Sequence, residues 1–195
     1  MLEFFGISSG LIIIFAFFAF YLKEILEKKA KPERASWLIW SILGAIAFSS
    51  QFAKGATWSL WLPAADTSIV FLIFILSFKY GTGGVARRDI VGIIGAGIGL
   101  ILWYFTKEAT WALVITILID LIGTYLTALK TYEDPESETM IYWLLIGTAG
   151  VLSCLAVGRL SPILLAYPAY IALANYAVAL AIVMGRGRES RLNEV

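Results

Sequence analysis

The chain of 195 residues contains no histidine and a single cysteine. The missing histidine excludes His-ligated haem, most transition-metal sites and any histidine-based triad. The lone thiol, Cys154, excludes an intrachain disulfide. Charge is scarce too. Asp, Glu, Lys and Arg make up 15% of the chain, against about 25% in an ordinary soluble domain. A net charge of +1 offers no footprint for nucleic acid. There is no Walker A lysine motif and no cluster of metal-ligating side chains. Gly81-Thr82-Gly83-Gly84 reads as a linker, not a phosphate loop. Nothing here points to an enzyme, a cofactor or a metal.

What is abundant is apolar: 60% of the residues are hydrophobic. The few charges fall in short clusters between long apolar runs. A bilayer core of about 30 Å needs roughly 20 apolar residues per helical crossing. Runs at 4–26, 36–53, 57–80, 89–106, 109–130, 139–158 and 163–185 each read as one crossing. Seven crossings use nearly the whole chain and leave no room for a soluble domain. The start, Met1-Leu2-Glu3-Phe4, lacks the basic lead of a signal peptide, so the first run reads as a retained span. The fourth run is short and carries Gly92, Gly95, Gly97 and Gly99. It reads as a helix because lipid-exposed backbone must satisfy its own hydrogen bonds. Gly95-x-x-x-Gly99 suits close helix approach.

Lysine and arginine set the orientation. One side holds Lys23, Lys28, Lys29, Lys31, Arg34, Lys79, Arg87, Arg88, Lys130, Arg186, Arg188 and Arg191. The other holds only Lys54, Lys107 and Arg159. The basic side is cytoplasmic, which puts the N-terminus outside and the C-terminus inside. A bacterial or archaeal cytoplasmic membrane fits this pattern, with the lipid bilayer as the main partner.

An internal repeat organises the spans. With Pro32 set against Pro135, Glu33 meets Glu136, Trp40 meets Trp143 and Gly44 meets Gly147. Ser50 then meets Ser153, Ala53 meets Ala156 and Gly55 meets Gly158. Chance would give about two such identities over this length. After a two-residue insertion Pro63 meets Pro168. The repeat pairs spans 1–3 with spans 5–7 in the same direction and leaves span 4 as a connector. The expected fold is an all-α polytopic membrane protein of seven helices in a 3+1+3 plan. Its units are 1–80, a linker helix in 81–108, a second triple bundle in 109–186 and a tail at 187–195.

A parallel 3+1+3 plan in about 200 residues resembles the SWEET and PQ-loop transporter superfamily. The nicotinamide riboside transporters and the KDEL receptor share that plan. The stretch Leu126-Thr127-Ala128-Leu129-Lys130-Thr131-Tyr132-Glu133-Asp134-Pro135 resembles the end of the first helix of a PQ-loop repeat. Leu126 stands where the family has proline, and Lys23-Glu24-Ile25-Leu26-Glu27 in the first half also lacks it. The resemblance implies a polar small-molecule substrate, a site on the third helix of each repeat, and no cofactor. A homo-oligomer is compatible with it.

Two acids lie at membrane depth. Asp66 is about nine residues into the third span and Asp120 about eleven into the fifth. A charge at a helix centre costs about 2.5–3.5 kcal/mol on insertion scales, so such acids mark binding or proton coupling. The alternative is a hydrogen bond between helices. Near Asp66 lie Trp61 and Pro63, with Thr67 and Ser68 beyond. The seventh span offers Tyr167, Pro168, Tyr170, Asn175 and Tyr176. Both prolines are expected to kink their helices. Gln51 adds a polar group to the second span. Trp40 and Trp143 would flank a path near the cytoplasmic face, with Ser50 and Ser153 along it. An aromatic belt and plain helix–helix hydrogen bonds explain the same residues. These features point to a small-molecule transporter working by alternating access about a midplane site, with proton coupling open. The alternative is a receptor or sorting protein that binds a ligand in the same cavity without net flux.

Overall fold

A backbone that cannot reach water must bond to itself, so the apolar runs form helices. The computed structural model describes residues 1–28, 32, 34–81, 90, 94, 97–98, 101, 105 and 108–192, and among them it contains helices and no strand. Six helices carry the fold: α1 (Leu2–Leu26), α2 (Arg34–Ala53), α3 (Trp61–Tyr80), α4 (Ala109–Glu133), α5 (Met140–Ala156) and α6 (Pro162–Leu192). Among the described residues, four stretches are long and apolar enough to cross a membrane: Leu2–Leu26, Trp58–Tyr80, Ala109–Glu133 and Pro162–Arg188. The apolar parts of α2 and α5, Trp37–Ala53 and Met140–Ala156, are shorter. At 17 residues α5 is at the lower end of the range for a crossing, about 17–25.

The fourth expected span lies largely outside the described residues, and so do Gly92, Gly95 and Gly99. Ile90, Ile94, Ile98, Ile101 and Phe105 are helical and exposed. Their steps of three and four place them on one helix face. The other expected boundaries agree within a few residues, except that α6 runs on to Leu192 rather than stopping at 185.

Local chemistry explains the ends and irregularities. Gly55 follows α2 with φ 79° and Gly158 follows α5 with φ 70°. A left-handed residue past a helix end favours glycine, which has no Cβ to clash. Pro63 is the third residue of α3, just after a 3-10 turn over Trp58–Leu60. In a first turn the missing N–H breaks no bond, so Pro63 marks the change from 3-10 to α and not the expected mid-helix kink. Pro168 does lie inside α6, where it removes one bond of the ladder. A π-helical turn over Phe17–Tyr21 interrupts α1 and re-aims the residues that follow it.

Each helix packs along two neighbours. The order around the molecule is α1, α3, α2, α4, α6, α5 and back to α1. Six helices thus close a ring, with α1 opposite α4, α3 opposite α6, and α2 opposite α5. One core cluster draws Ile13 and Phe17 from α1, Ala47 from α2, Ile69 from α3, Leu113 from α4, Ala149 from α5 and Ile171 from α6. Small residues permit the tightest approaches. A Cβ built on Gly10 would lie 3.0 Å from the Trp61 carbonyl oxygen, and one on Gly150 would lie 2.6 Å from the Ala172 nitrogen.

Candidate functional site

The two deep carboxylates belong to one cluster. Asp66 projects from α3 and Asp120 from α4, and both keep part of their surface accessible. They are close enough for the charge of Asp120 to act on Asp66. Among the described residues, the charged groups acting on either acid include no lysine or arginine. The partners are tyrosines. The Tyr170 hydroxyl donates to Asp120 Oδ2 at 2.5 Å. Thr124, one turn beyond Asp120, lies 3.1 Å from the Tyr170 oxygen. Because the Tyr170 proton is committed to Asp120, Thr124 is the donor in that second bond, and the two bonds polarise one another. The Tyr167 hydroxyl lies within hydrogen-bonding reach of Asp66.

These pairs differ in what they join. Asp120, Thr124 and Tyr170 sit on adjacent helices of the ring, α4 and α6. Asp66 and Tyr167 sit on α3 and α6, which are opposite, so their contact crosses the centre. Tyr167 and Tyr170 flank Pro168 one turn apart and reach different carboxylates. Beside Asp66, the Thr67 hydroxyl oxygen is buried with no partner. It packs where a Cβ on Gly44 would stand 2.6 Å away.

An aromatic chain lies on the side of the ring that carries Glu24 and Glu138. Trp40 meets Trp37 at 5.1 Å between ring centroids, Trp37 meets Tyr21 at 5.8 Å, Tyr21 meets Tyr142 at 5.8 Å, and Tyr142 meets Trp143 at 6.0 Å. The two tryptophans singled out by sequence are its ends. The chain runs through α2, α1 and α5, and the Trp143 indole N–H is buried without a partner. Asp66 is near enough to act on Tyr142. Thr139 donates weakly to Glu24 at 3.4 Å on the same side.

The opposite mouth is laced with hydrogen bonds. The Gln51 amide on α2 donates to the Ile163 carbonyl at the start of α6, at 3.0 Å. The Ser153 hydroxyl on α5 donates to the Ser59 carbonyl just before α3, at 3.1 Å. Lys54 Nζ lies 2.7 Å from Glu108 Oε2, and Arg159 donates to the Lys54 carbonyl at 3.2 Å.

The remaining sequence candidates are therefore dispersed. Gln51, Ser50 and Ser153 are buried between helices near this mouth, with Gln51 and Ser153 committed to backbone carbonyls. Asn175 donates to the Ile171 carbonyl of its own helix at 2.8 Å. Trp61 is exposed at the rim. Asp66, Asp120 and Tyr170 come together as a site. Sequence reasoning missed Thr124, Tyr21, Trp37 and Tyr142. Tyr167, expected from the sequence with the rest of the seventh-span set, lies one turn from Tyr170 on the face that a helix presents at i and i+3. Comparison with known protein families, curated proteins and solved structures gives no match to this chain.

Proposed function

We propose that the chain is a seven-span, 3+1+3 transporter of a small polar solute, working by alternating access about the Asp66–Asp120 site. The observation that carries this reading is the placement of the two acids. They come from different halves of the chain, lie close enough for the charge of one to act on the other, and have tyrosine hydroxyls but no described cation beside them. Such a site lacks one positive charge that a proton or a cationic group of the solute supplies. The neighbour order adds support. Exchanging α1 with α4, α2 with α5 and α3 with α6 leaves it unchanged, as a parallel repeat requires. Gly55 and Gly158, paired by the repeat, share the same left-handed conformation. In this reading the N-terminus is outside, the aromatic chain guards the cytoplasmic mouth, and the likeness to the SWEET and PQ-loop superfamily supplies the rocking motion.

The test is a thermal-shift screen of sugars, vitamins, nucleosides and amines on the purified protein. Uptake of any hit into proteoliposomes follows, at two values of pH. Uptake is expected to disappear in Asp66→Asn and in Asp120→Asn while both variants remain folded. Binding without flux in the intact protein would favour a receptor instead. Two folded variants that transport as well as the parent would defeat the site.

A further inference from the structure

The mouth opposite the aromatic chain carries a charged network that the central site does not use. Lys54 is the residue after α2, and its ammonium meets Glu108 Oε1 and Oε2 at 3.0 and 2.7 Å. Glu108 directly precedes α4, where a carboxylate faces the unsatisfied N–H groups of the first turn. Thr110 also lies 3.1 Å from Glu108. Arg159 follows α5, the helix opposite α2 in the ring. Its guanidinium reaches across to the Lys54 carbonyl, where a cation is favourable beside a helix C-terminus. It passes directly over Gly55, and a Cβ there would sit 3.3 Å from Nη2. One lysine therefore receives both arms: its ammonium holds the start of α4 and its carbonyl holds the end of α5. Arg159 belongs to the second bundle and Glu108 directly precedes its first helix, while the lysine belongs to the first bundle.

We infer that Lys54, Glu108 and Arg159 form a latch that holds the outer mouth closed. The inference rests on the two-bundle reading above, since a latch matters only if the bundles move. Opening that mouth separates α2 from both α4 and α5, so all three contacts must break together. At the other mouth the aromatic chain is accompanied by the weak bond from Thr139 to Glu24 at 3.4 Å. Its members meet through rings, which slide at lower cost than an ion pair separates. The closed outer mouth is thus held by charge, and it is sensitive to salt because its side chains are partly exposed.

The experiment places spin labels at Thr57 and Leu160, both exposed at this mouth, one in each bundle. Cys154→Ser removes the native thiol. A second pair at Leu26 and Leu129, both exposed, reports the inner mouth. Distances are read by double electron–electron resonance in lipid nanodiscs. Lys54→Met with Arg159→Met is expected to raise the long-distance outer fraction about two- to fivefold, the range exposed pairs support. The exchange Lys54→Glu with Glu108→Lys is expected to bring the fraction back toward the parent value, because it restores the pair and keeps the carbonyl at position 54, and to fall short of it because both charges then oppose their helix ends. The latch is overturned if the double neutral variant, folded, gives the parent distribution, or if the exchanged pair behaves like the neutral one. If the inner pair still shows two distances in that case, the rocking reading stands without the latch. A single unmoved distance at both mouths in every variant defeats both.

Discussion

Gly150→Ala tests the packing that holds α5 against α6 beside the site. The added Cβ would stand 2.6 Å from the Ala172 nitrogen, 2.9 Å from its Cα and 2.9 Å from the Pro168 carbonyl oxygen. All three are backbone atoms, so no rotamer change relieves the overlap. The helices must part by a few tenths of an ångström near Pro168, between the tyrosines that hold the two carboxylates. Overpacking of this kind costs about 1–3 kcal/mol. Alanine returns up to about 1 kcal/mol of helix propensity, which offsets only part. Two other glycines calibrate the result. At Gly147 the added Cβ meets ring atoms of Tyr176 at 2.7 Å. That ring is partly exposed and can turn, giving up the bond between its hydroxyl and Thr148 at 3.1 Å. At Gly97 no atom of the described residues lies within 4 Å, so alanine gains its propensity. Unfolding titrations in mixed micelles with SDS should rank the variants Gly97→Ala, Gly147→Ala and Gly150→Ala in falling stability. A Gly150→Ala protein as stable as Gly97→Ala would refute the close approach of α5 and α6.

Other outcomes follow from single contacts. The Lys54 ammonium, then the Thr110 hydroxyl, hold the Glu108 carboxyl below its ordinary range. A lowered value means that the ion pair contributes above the usual glutamate range and is lost as pH falls through the lowered value. The outer spin-label distance is therefore expected to stay constant from neutral pH downward and to lengthen only in acid. The acid step should be absent in Lys54→Met, and a step surviving that substitution assigns it to another group. Gln51→Leu strands the Ile163 carbonyl, which the amide meets at 3.0 Å. The expected loss is about 1–3 kcal/mol of unfolding free energy in the same SDS titration. An unchanged midpoint would mean that the carbonyl finds another donor.

The helices were legible because their cause is local. Apolar runs with charges at their ends form helices whatever their neighbours do. The deep acids were legible for the same reason: Asp66 and Asp120 are anomalous at their depth in any packing. What surrounds them was not, because ring order is tertiary. Only the order α3, α2, α4, α6 turns Tyr167 and Tyr170 toward two carboxylates far apart in the chain. Asn175 looked like a site residue by type and position. A side chain can instead bond the carbonyl four residues back on its own helix, as Asn175 does, and periodicity cannot tell these apart. Pro63 misled in a simpler way. The helix-breaking rule depends on distance from the helix start, and the 3-10 turn at Trp58 set that start. The π turn at Phe17 had no signature, yet it ends on Tyr21, the tyrosine that links α1 to both α2 and α5.

The ring order also bears on how the chain assembles. In each half the third helix lies between the first two, so three helices alone form an open layer with one apolar face uncovered. The core cluster draws on all six helices, and Leu62, Ile69 and Ile73 of α3 share it with Ile146 of α5 and Ile171 of α6. Neither layer completes its interior until the other arrives. In the membrane reading proposed above, the first three helices therefore wait in the bilayer until α4, α5 and α6 emerge. Folding of the halves and their docking are one event.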